Sequence, residues 1–308
     1  MRFGNYDDIV SLTPSWKGER LPDGRPKVAD SYLDALKEMT LEEIWKPLFT
    51  AGYENQFLSI KPLHPEFREN GEVACKLIGR AVTAIYGPTR PDYYEASMLQ
   101  AQREGRTGTP NQWLIDSLGD RDVAVVDMYD KIYKGTFLGG NLTTAVRTKT
   151  HTGGAVIWGG IRDVEQMMKV PDVQVYYRGI DPTPIRNFVM LGLNAPVRMG
   201  EGEHAALCLP GDIVYGCSGG VLFIPPHMAQ QVVDDGFKTQ VKDIFGFEMI
   251  SQNKFTTAQI DKNVWTEEML DLLLEFIKTD DRGIPYRNID WNNEYKKARE
   301  GGDNQSAL

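Results

Sequence analysis

The 308-residue chain has little cysteine, and what it has follows no pattern: Cys75, Cys208 and Cys217 are far apart and odd in number. They form no CxxC pair and no zinc-finger spacing, so a disulfide-stapled mini-domain is excluded and reduced thiols of a cytoplasmic protein are expected. Long hydrophobic runs are missing too. No stretch approaches the roughly 20 apolar residues that a bilayer span needs. The longest apolar helical segment, Met269 to Ile277, is interrupted by Asp271 and Glu275. The opening MRFGNYDDIV holds no apolar run of the signal-peptide kind. Positive charge is in deficit: 34 Lys and Arg against 43 Asp and Glu leave a net charge of −9. Such a chain has no general footprint for nucleic acid or for an anionic membrane. An anionic ligand would have to be met by locally placed arginine, by backbone amides or by a metal.

Motifs of familiar chemistry are also absent. The four histidines, His64, His151, His204 and His227, show neither HxH nor HExxH spacing. No serine sits in a GxSxG elbow, and no glycine-rich loop continues into GK[ST] or GxGxxG.

With 41% hydrophobic and 25% charged residues, the chain is an ordinary globular one, long enough for a sizeable core. Residues 1–30 are rich in Pro, Gly and charge and read as an extended arm. Residues 31–235 read as a core domain, and 236–308 as a helical extension ending in a polar tail. Within the core, Val73 to Ile78 and Ala81 to Tyr86 are expected as strands around a turn at Gly79 and Arg80. Asp122 to Asp127 and Gly154 to Trp158 are continuous apolar runs of the buried parallel type. Helices are expected at Ala96 to Glu104, Trp113 to Ser117 and Leu142 to Thr150. Further strands follow at Val173 to Tyr177, Ala205 to Leu209, Asp212 to Tyr215 and Val221 to Ile224. The alternation of strand, loop and helix predicts an α/β fold. After Phe245 the chain is helical again, with Thr266 as N-cap of Glu267 to Lys278.

Two loops merit attention. Gly139, Gly140, Asn141 and Leu142 precede a helix, where small residues let a ligand approach the backbone and free amides with the helix dipole attract an anion. A Gly-Gly pair is more often just a tight turn. Gly159, Gly160, Ile161, Arg162 and Asp163 follow a buried strand, the place where open α/β sheets hold ligands. Arg162 offers a planar fork for a carboxylate, and Asp163 an oxygen ligand for a divalent metal. The two could also form a surface ion pair, or Asp163 could cap the next helix. Arg178 is a second cation that could meet an anion or simply lie exposed.

The run LGGNLTTAV (138–146) followed by GGAVIWGGIRD (153–163) resembles the regulator-of-ribonuclease-activity-A (RraA)-like family, which includes the 4-hydroxy-4-methyl-2-oxoglutarate aldolases. The similarity extends to IGRAVT (78–83), VYYRG (175–179), LPGDIV (209–214) and GVLFIP (220–225), and covers roughly residues 30–235. The resemblance implies an α/β/α sandwich of the swivelling phosphohistidine-domain type, assembled as a homotrimer or homohexamer with sites between subunits. It implies a lyase acting on a small anionic 2-oxo or hydroxy acid through an enolate, with Mg²⁺ or Mn²⁺ bound by Asp163. Arg162 would bind substrate beside Gly139, Gly140, Asn141, Leu142 and Thr143. Arg162, Asp163 and Asn141 would form the catalytic set.

The chain departs from the aldolase pattern where acidic residues are usual, carrying Asn141, Trp158, Gln166 and Gly219; Glu165 lies one position from the expected acid. Two other expectations therefore stand beside the lyase. One is a non-catalytic regulatory or interaction protein, and the other is a sugar-acid dehydratase or isomerase on the same scaffold.

Overall fold

The fold is described from a computed structural model covering residues 2–64, 76–151 and 153–300. Cys75 and the first part of the strand expected from Val73 lie outside the described residues. The chain forms two compact units, Met1–Leu41 with Leu48–Gln230, and Glu42–Pro47 with Gln231–Leu308.

The first unit is a mixed sheet dressed with helices. Its strands are β1 (Arg2–Phe3), β2 (Phe57–Leu58), β3 (Lys61–Pro62), β4 (Leu77–Pro88), β5 (Asp122–Asp127), β6 (Thr136–Leu138), β7 (Gly154–Ile161), β8 (Gln174–Ile180), β9 (Phe188–Leu193), β10 (Val197–Met199), β11 (Ala206–Cys208), β12 (Ile213–Cys217) and β13 (Gly220–Ile224). Helices α1 (Tyr6–Leu12), α2 (Asp30–Lys37), α4 (Pro91–Arg103), α5 (Pro110–Asp116), α6 (Gly140–Thr150) and α7 (Val164–Met167) are interleaved with them, while α3 (Leu41–Thr50) is divided, its residues Glu42–Pro47 being counted with the second unit. The main path runs β2-β13-β12-β4-β5-β7-β8-β3. Strands β4, β5, β7 and β8 are parallel neighbours. The others on that path join antiparallel.

The period-two pattern explains why the central strands read as unbroken apolar runs. Val82, Ala84, Ala124, Val126, Ala155 and Ile157 pack on one side with Trp113 and Leu114 of α5, Val146 of α6 and Met167 of α7. Ala81, Val123, Val125, Val156, Tyr176 and Phe223 face the other side, where they pack with Val197, Met199, Ala206 and Cys208 of β10 and β11. Both faces are buried, so no polar residue is needed on either.

The expected turn at Gly79 and Arg80 does not exist: β4 runs straight through it. Gly79 is there for a close approach, since a Cβ would stand 2.4 Å from the carbonyl oxygen of Arg121. Arg80 is buried, donating to the carbonyl of Val28 at 3.0 Å and pairing with Asp30. Strands β9 and β10 had no sequence expectation; β9 pairs with the second half of β4, and β10 forms a two-stranded sheet with β11.

The first thirty residues are packed rather than an extended arm. Asn5 caps α1 by accepting from the Asp8 amide, and Ile9 and Val28 are fully buried. Arg25 reaches inward to a two-pronged pair with Asp122, at 2.7 and 3.0 Å, and its Nε also donates to Asp23 at 2.6 Å. Asp122 accepts from the Gly119 amide as well, at 2.8 Å. The charged composition that suggests a solvated arm is spent partly on this buried pair.

The second unit has its own core. Helices α8 (Ala229–Ser251), α9 (Thr257–Ile260), α10 (Glu267–Thr279) and α11 (Asn292–Arg299) supply it. Val241, Phe245, Met249, Trp265, Met269, Leu273, Phe276, Tyr286 and Trp291 pack together. The helical stretch starts at Ala229, well before Phe245, and the polar tail buries Tyr286 and Trp291. Thr266 caps α10, accepting from the Met269 amide at 3.3 Å.

Removing one member of a buried ion pair strands the other in a low-dielectric interior. Asp122→Ala is therefore expected to lower the unfolding free energy by about 3–5 kcal/mol. Urea denaturation checks this, and a loss under about 1 kcal/mol, the scale of an exposed pair, would contradict it.

Candidate functional site

Strand β6 pairs with the far end of β7, so Leu138 lies beside Ile161 and both chains leave the sheet together. From there the Gly139 and Arg162 loops diverge around one cavity of about 410 Å³. It is lined by Gly139, Gly140, Asn141, Leu142, Thr144, Arg162, Asp163 and Gln166. The two segments singled out in the sequence are thus walls of one site.

Arg162 is tied to the rim of the sheet by its amide, which donates to the carbonyl of Leu138 at 3.0 Å. Asp163 then adopts a left-handed conformation, φ +56°, which turns the chain into α7. Asp tolerates this region better than most residues, although the conformation still costs of order 1 kcal/mol or more. The turn lays the Asp163 carboxylate against Gly139, where a Cβ would stand 2.5 Å from Oδ2. Gly139 itself is extended, so glycine is required here for the close approach and not for its backbone angle. Gly140 is similar on its other side, with a Cβ position 3.0 Å from that of Gln166.

Helix α6 opens on this cavity. Its N-cap is Gly139, with no side-chain cap, and its first turn carries no acidic residue. First-turn amides have no acceptor within a helix and bear the positive end of its dipole. Arg147 and Lys149 in the last turn complement the opposite end. The guanidinium of Arg162 stands 3.7 Å from Asp163 Oδ2, and both side chains are more than a third exposed. A pair that loose and wet contributes little to stability and leaves the guanidinium available to a ligand. One Arg and a helix start against one carboxylate leave the cavity with a positive excess, suited to a small carboxylate.

Thr143 does not line the cavity. It is fully buried, and both its amide and its hydroxyl donate to the carbonyl of Gly139 at 3.0 Å. The next residue, Thr144, takes the place on the wall that was expected of it. Gln166 is also on the wall, one helical turn after Asp163, whereas the exposed Glu165 is not. The signal for both was helix geometry: three residues separate Gln166 from Asp163, and Thr144 sits one turn beyond Gly140.

The glycines before Arg162 serve the scaffold. Strand β7 runs on through Gly159 and Gly160 to Ile161, so the buried strand does not stop at Trp158. A Cβ on Gly159 would meet that of Met128 at 2.6 Å, and one on Gly160 the carbonyl of Ile132 at 2.9 Å. Gly179 likewise makes room for the Ile132 side chain, 2.6 Å from a Cβ position. These glycines let the connection after β5 lie flat on the sheet. Arg178 is engaged elsewhere, with Asp130 at 2.9 Å, Glu201 at 3.0 Å and the Trp158 ring at 4.3 Å. Gly219 lies in the turn between β12 and β13. None of the four histidines lines the cavity; His151 pairs with Asp120 at 2.7 Å and His227 bonds Tyr53 at 2.8 Å.

An α/β protein with a cavity at the carboxyl end of its parallel strands, walled by an arginine, a carboxylate and a helix start, is the class so far defined. Comparison with known proteins makes it specific: residues 51–223, more than half of the chain, match the RraA-like family, described as Aldolase/RraA, and the chain belongs to that family. Protein DlpA of Legionella pneumophila is 27% identical over 208 residues, 66% of this chain; the chain spans only 29% of that relative's length. Two solved structures share the fold. A protein from Pseudomonas syringae pv. tomato, described as uncharacterized, aligns with TM-score 0.61 at 18% identity, over 79% of this chain and 98% of its own. Streptomyces coelicolor RraAS2, described as an unusual member of the RNase ES inhibitor RraA family, aligns with TM-score 0.55 at 21% identity, over 72% and 97%.

The close approach at Gly139 is open to a direct check. In Gly139→Ala the fold should survive, at a cost of about 0.5–1.5 kcal/mol as the Asp163 side chain turns away. If Asp163 carries a divalent ion to the ligand, pyruvate titrated with Mg²⁺ into the variant and followed by NMR should bind at least an order of magnitude more weakly than to the parent. Equal affinity would show that the placement of Asp163 is immaterial.

Proposed function

We propose that the protein is a divalent-metal-dependent lyase that breaks a carbon–carbon bond in a small 2-oxo or hydroxy acid, as an aldolase or decarboxylase, through an enolate. One observation carries this reading: Arg162, Asp163 and the open first turn of α6 converge on a single cavity.

Arg162 binds the substrate carboxylate through its planar fork. The amides at Gly140, Asn141 and Leu142 face the same anion, and they suit an enolate because its charge grows while their dipoles stay fixed. Asn141, exposed at the cavity rim, holds water or substrate by hydrogen bonds and carries no charge of its own. Asp163 is the one acidic side chain on the wall, and Asn141 and Gln166 add amide oxygens. Among the described residues no group of three or more His, Cys, Asp or Glu gathers. Mg²⁺ is commonly held by one or two carboxylates with water and substrate completing the shell, so this donor set fits Mg²⁺ or Mn²⁺ at the low end of ligand number. Asp163 would hold the ion, with Gln166 beside it. When bound, the ion would supply Lewis-acid charge for the substrate's oxygen. Retro-aldol cleavage and decarboxylation of a 2-oxo acid give the same enolate, and one site serves both.

The same reading makes the protein a cytoplasmic homotrimer or homohexamer, with Tyr94, Leu99 and Leu191, all exposed, as apolar surface for a second copy. A second reading, an interaction protein without catalysis, is favoured by the lone carboxylate of the cavity where the family pattern has several.

One assay separates the two readings. With Mg²⁺ and oxaloacetate, the purified chain should release pyruvate, and Arg162→Ala should be slower by about 10²–10³-fold with an unchanged circular dichroism spectrum. Release no faster than that variant's would favour the interaction protein. Asp163→Asn should abolish the response to added metal, and activity indifferent to chelator in the parent chain would remove Asp163 from the metal's shell.

A further inference from the structure

A second cavity, of about 240 Å³, opens on the first unit among Trp16, Tyr53, Leu209, Asp212, Pro226 and His227, and shares no residue with the one at Gly139. Its walls are mainly apolar, yet Asp212 stands among them, only 3% exposed.

Part of that carboxyl has a structural task. Gly211, at φ +87°, turns the chain into β12, and Asp212 Oδ2 accepts from the Leu209 amide at 2.7 Å to close the turn. The Asp212 amide answers to the carbonyl of Leu209 at 3.1 Å. A neutral Asn or Ser would close such a turn as well. None of the described hydrogen bonds uses the other carboxyl oxygen, and among the described residues no Lys or Arg pairs with this group. Burial consequently pushes its pKa up to about 8. The titratable groups around it bring no cation. The Cys208 thiol is itself pushed up by burial and by Asp212. His227, at the cavity, is held toward its neutral form by burial and bonds Tyr53.

A buried carboxyl is costly unless something of opposite charge meets it. Among the described residues nothing does, and the free oxygen belongs to a residue of the cavity wall. We propose that this cavity is a second ligand site, which takes a compact organic ammonium ion with Asp212 as its counter-ion and Trp16 and Tyr53 beside its apolar body. Carboxylate and aromatic rings are the usual pairing for such a guest. Size is adequate: a cavity of about 150 Å³ holds benzene, so 240 Å³ admits a six-membered ring with its amine.

Cyclohexylammonium chloride, titrated calorimetrically into the full chain at pH 7 in buffers of different ionisation enthalpy, tests this. Saturable binding is expected, with release of roughly nine-tenths of a proton per site, because Asp212 enters neutral and leaves ionised. Cyclohexanol, of the same shape without charge, should not compete. Asp212→Asn keeps the acceptor for the Leu209 amide and should weaken binding at least about tenfold. Should that variant misfold, Ser15→Trp, on the cavity wall, should block binding with Asp212 intact. Arg162→Ala should bind normally, which keeps this result separate from the fate of the lyase reading. Absent binding, equal binding of cyclohexanol, no proton release, or undiminished affinity in Ser15→Trp would each overturn the proposal.

Discussion

The seating of the Asp163 carboxylate against Gly139 is the constraint on which the rest of the site hangs. It requires a left-handed turn directly after the sheet, a residue without Cβ at the start of α6, and a hydrogen bond from Arg162 to Leu138 that fixes where the turn begins. These three features draw on two segments of the chain, 138–139 and 162–163, and no one of them would place the carboxylate alone. Together they set a negative group beside the positive end of a helix and a guanidinium, without quenching either. A tighter ion pair would consume the arginine; a wider one would leave the helix start unopposed.

The sheet makes this possible. Strand β7 extends three residues past Trp158 and there takes β6 as its neighbour in place of β5, bringing Leu138 and Ile161 side by side at its end. The glycines at 159, 160 and 179 allow the connection after β5 to cross the strands there. Their task is mechanical, and it ends where Arg162 begins. The second cavity shows the opposite use of a carboxyl. Asp163 is exposed and sits between positive groups, whereas Asp212 is buried with one amide and no cation. The first is open to water; the second is held toward its neutral form by burial, which pushes its pKa up to about 8.

Much of the fold was legible in the sequence. The buried parallel strands announced themselves as apolar runs, and β5 lies at the predicted Asp122 to Asp127. Local pattern misleads where a glycine that reads as a turn signal lies inside a strand. Gly79 and Gly159 lie within strands because a neighbouring chain needs the space of their missing side chains, which is a tertiary fact invisible to local patterns. The packed N-terminal segment was missed for a related reason: Arg25 is surface-like by composition, and its partner Asp122 lies 97 residues away. At the site, six residues from Gly139 to Leu142 and Arg162 to Asp163 line one cavity as motif reading suggested, but Thr143 exchanged places with Thr144. A glycine pair marks where a helix starts only to within a residue, and one residue rotates a side chain about 100° around the axis.

Charge arithmetic bears on what the Gly139 cavity can accept. A monoanion such as pyruvate meets one guanidinium and the helix start, opposed by Asp163, and the balance is near neutral. A dianion such as oxaloacetate leaves an excess of negative charge there, unless a cation joins Asp163. Under the proposed lyase reading, metal and substrate would be thermodynamically linked: each should bind better when the other is present, since each relieves the other's like-charge cost. The linkage matters more here than in a site with several carboxylates, where the ion is held before substrate arrives. Under the proposed lyase reading, with Asp163 as the one acidic ligand on the wall, the substrate's own oxygens would supply part of the shell, so the ion and the acid would bind as a pair.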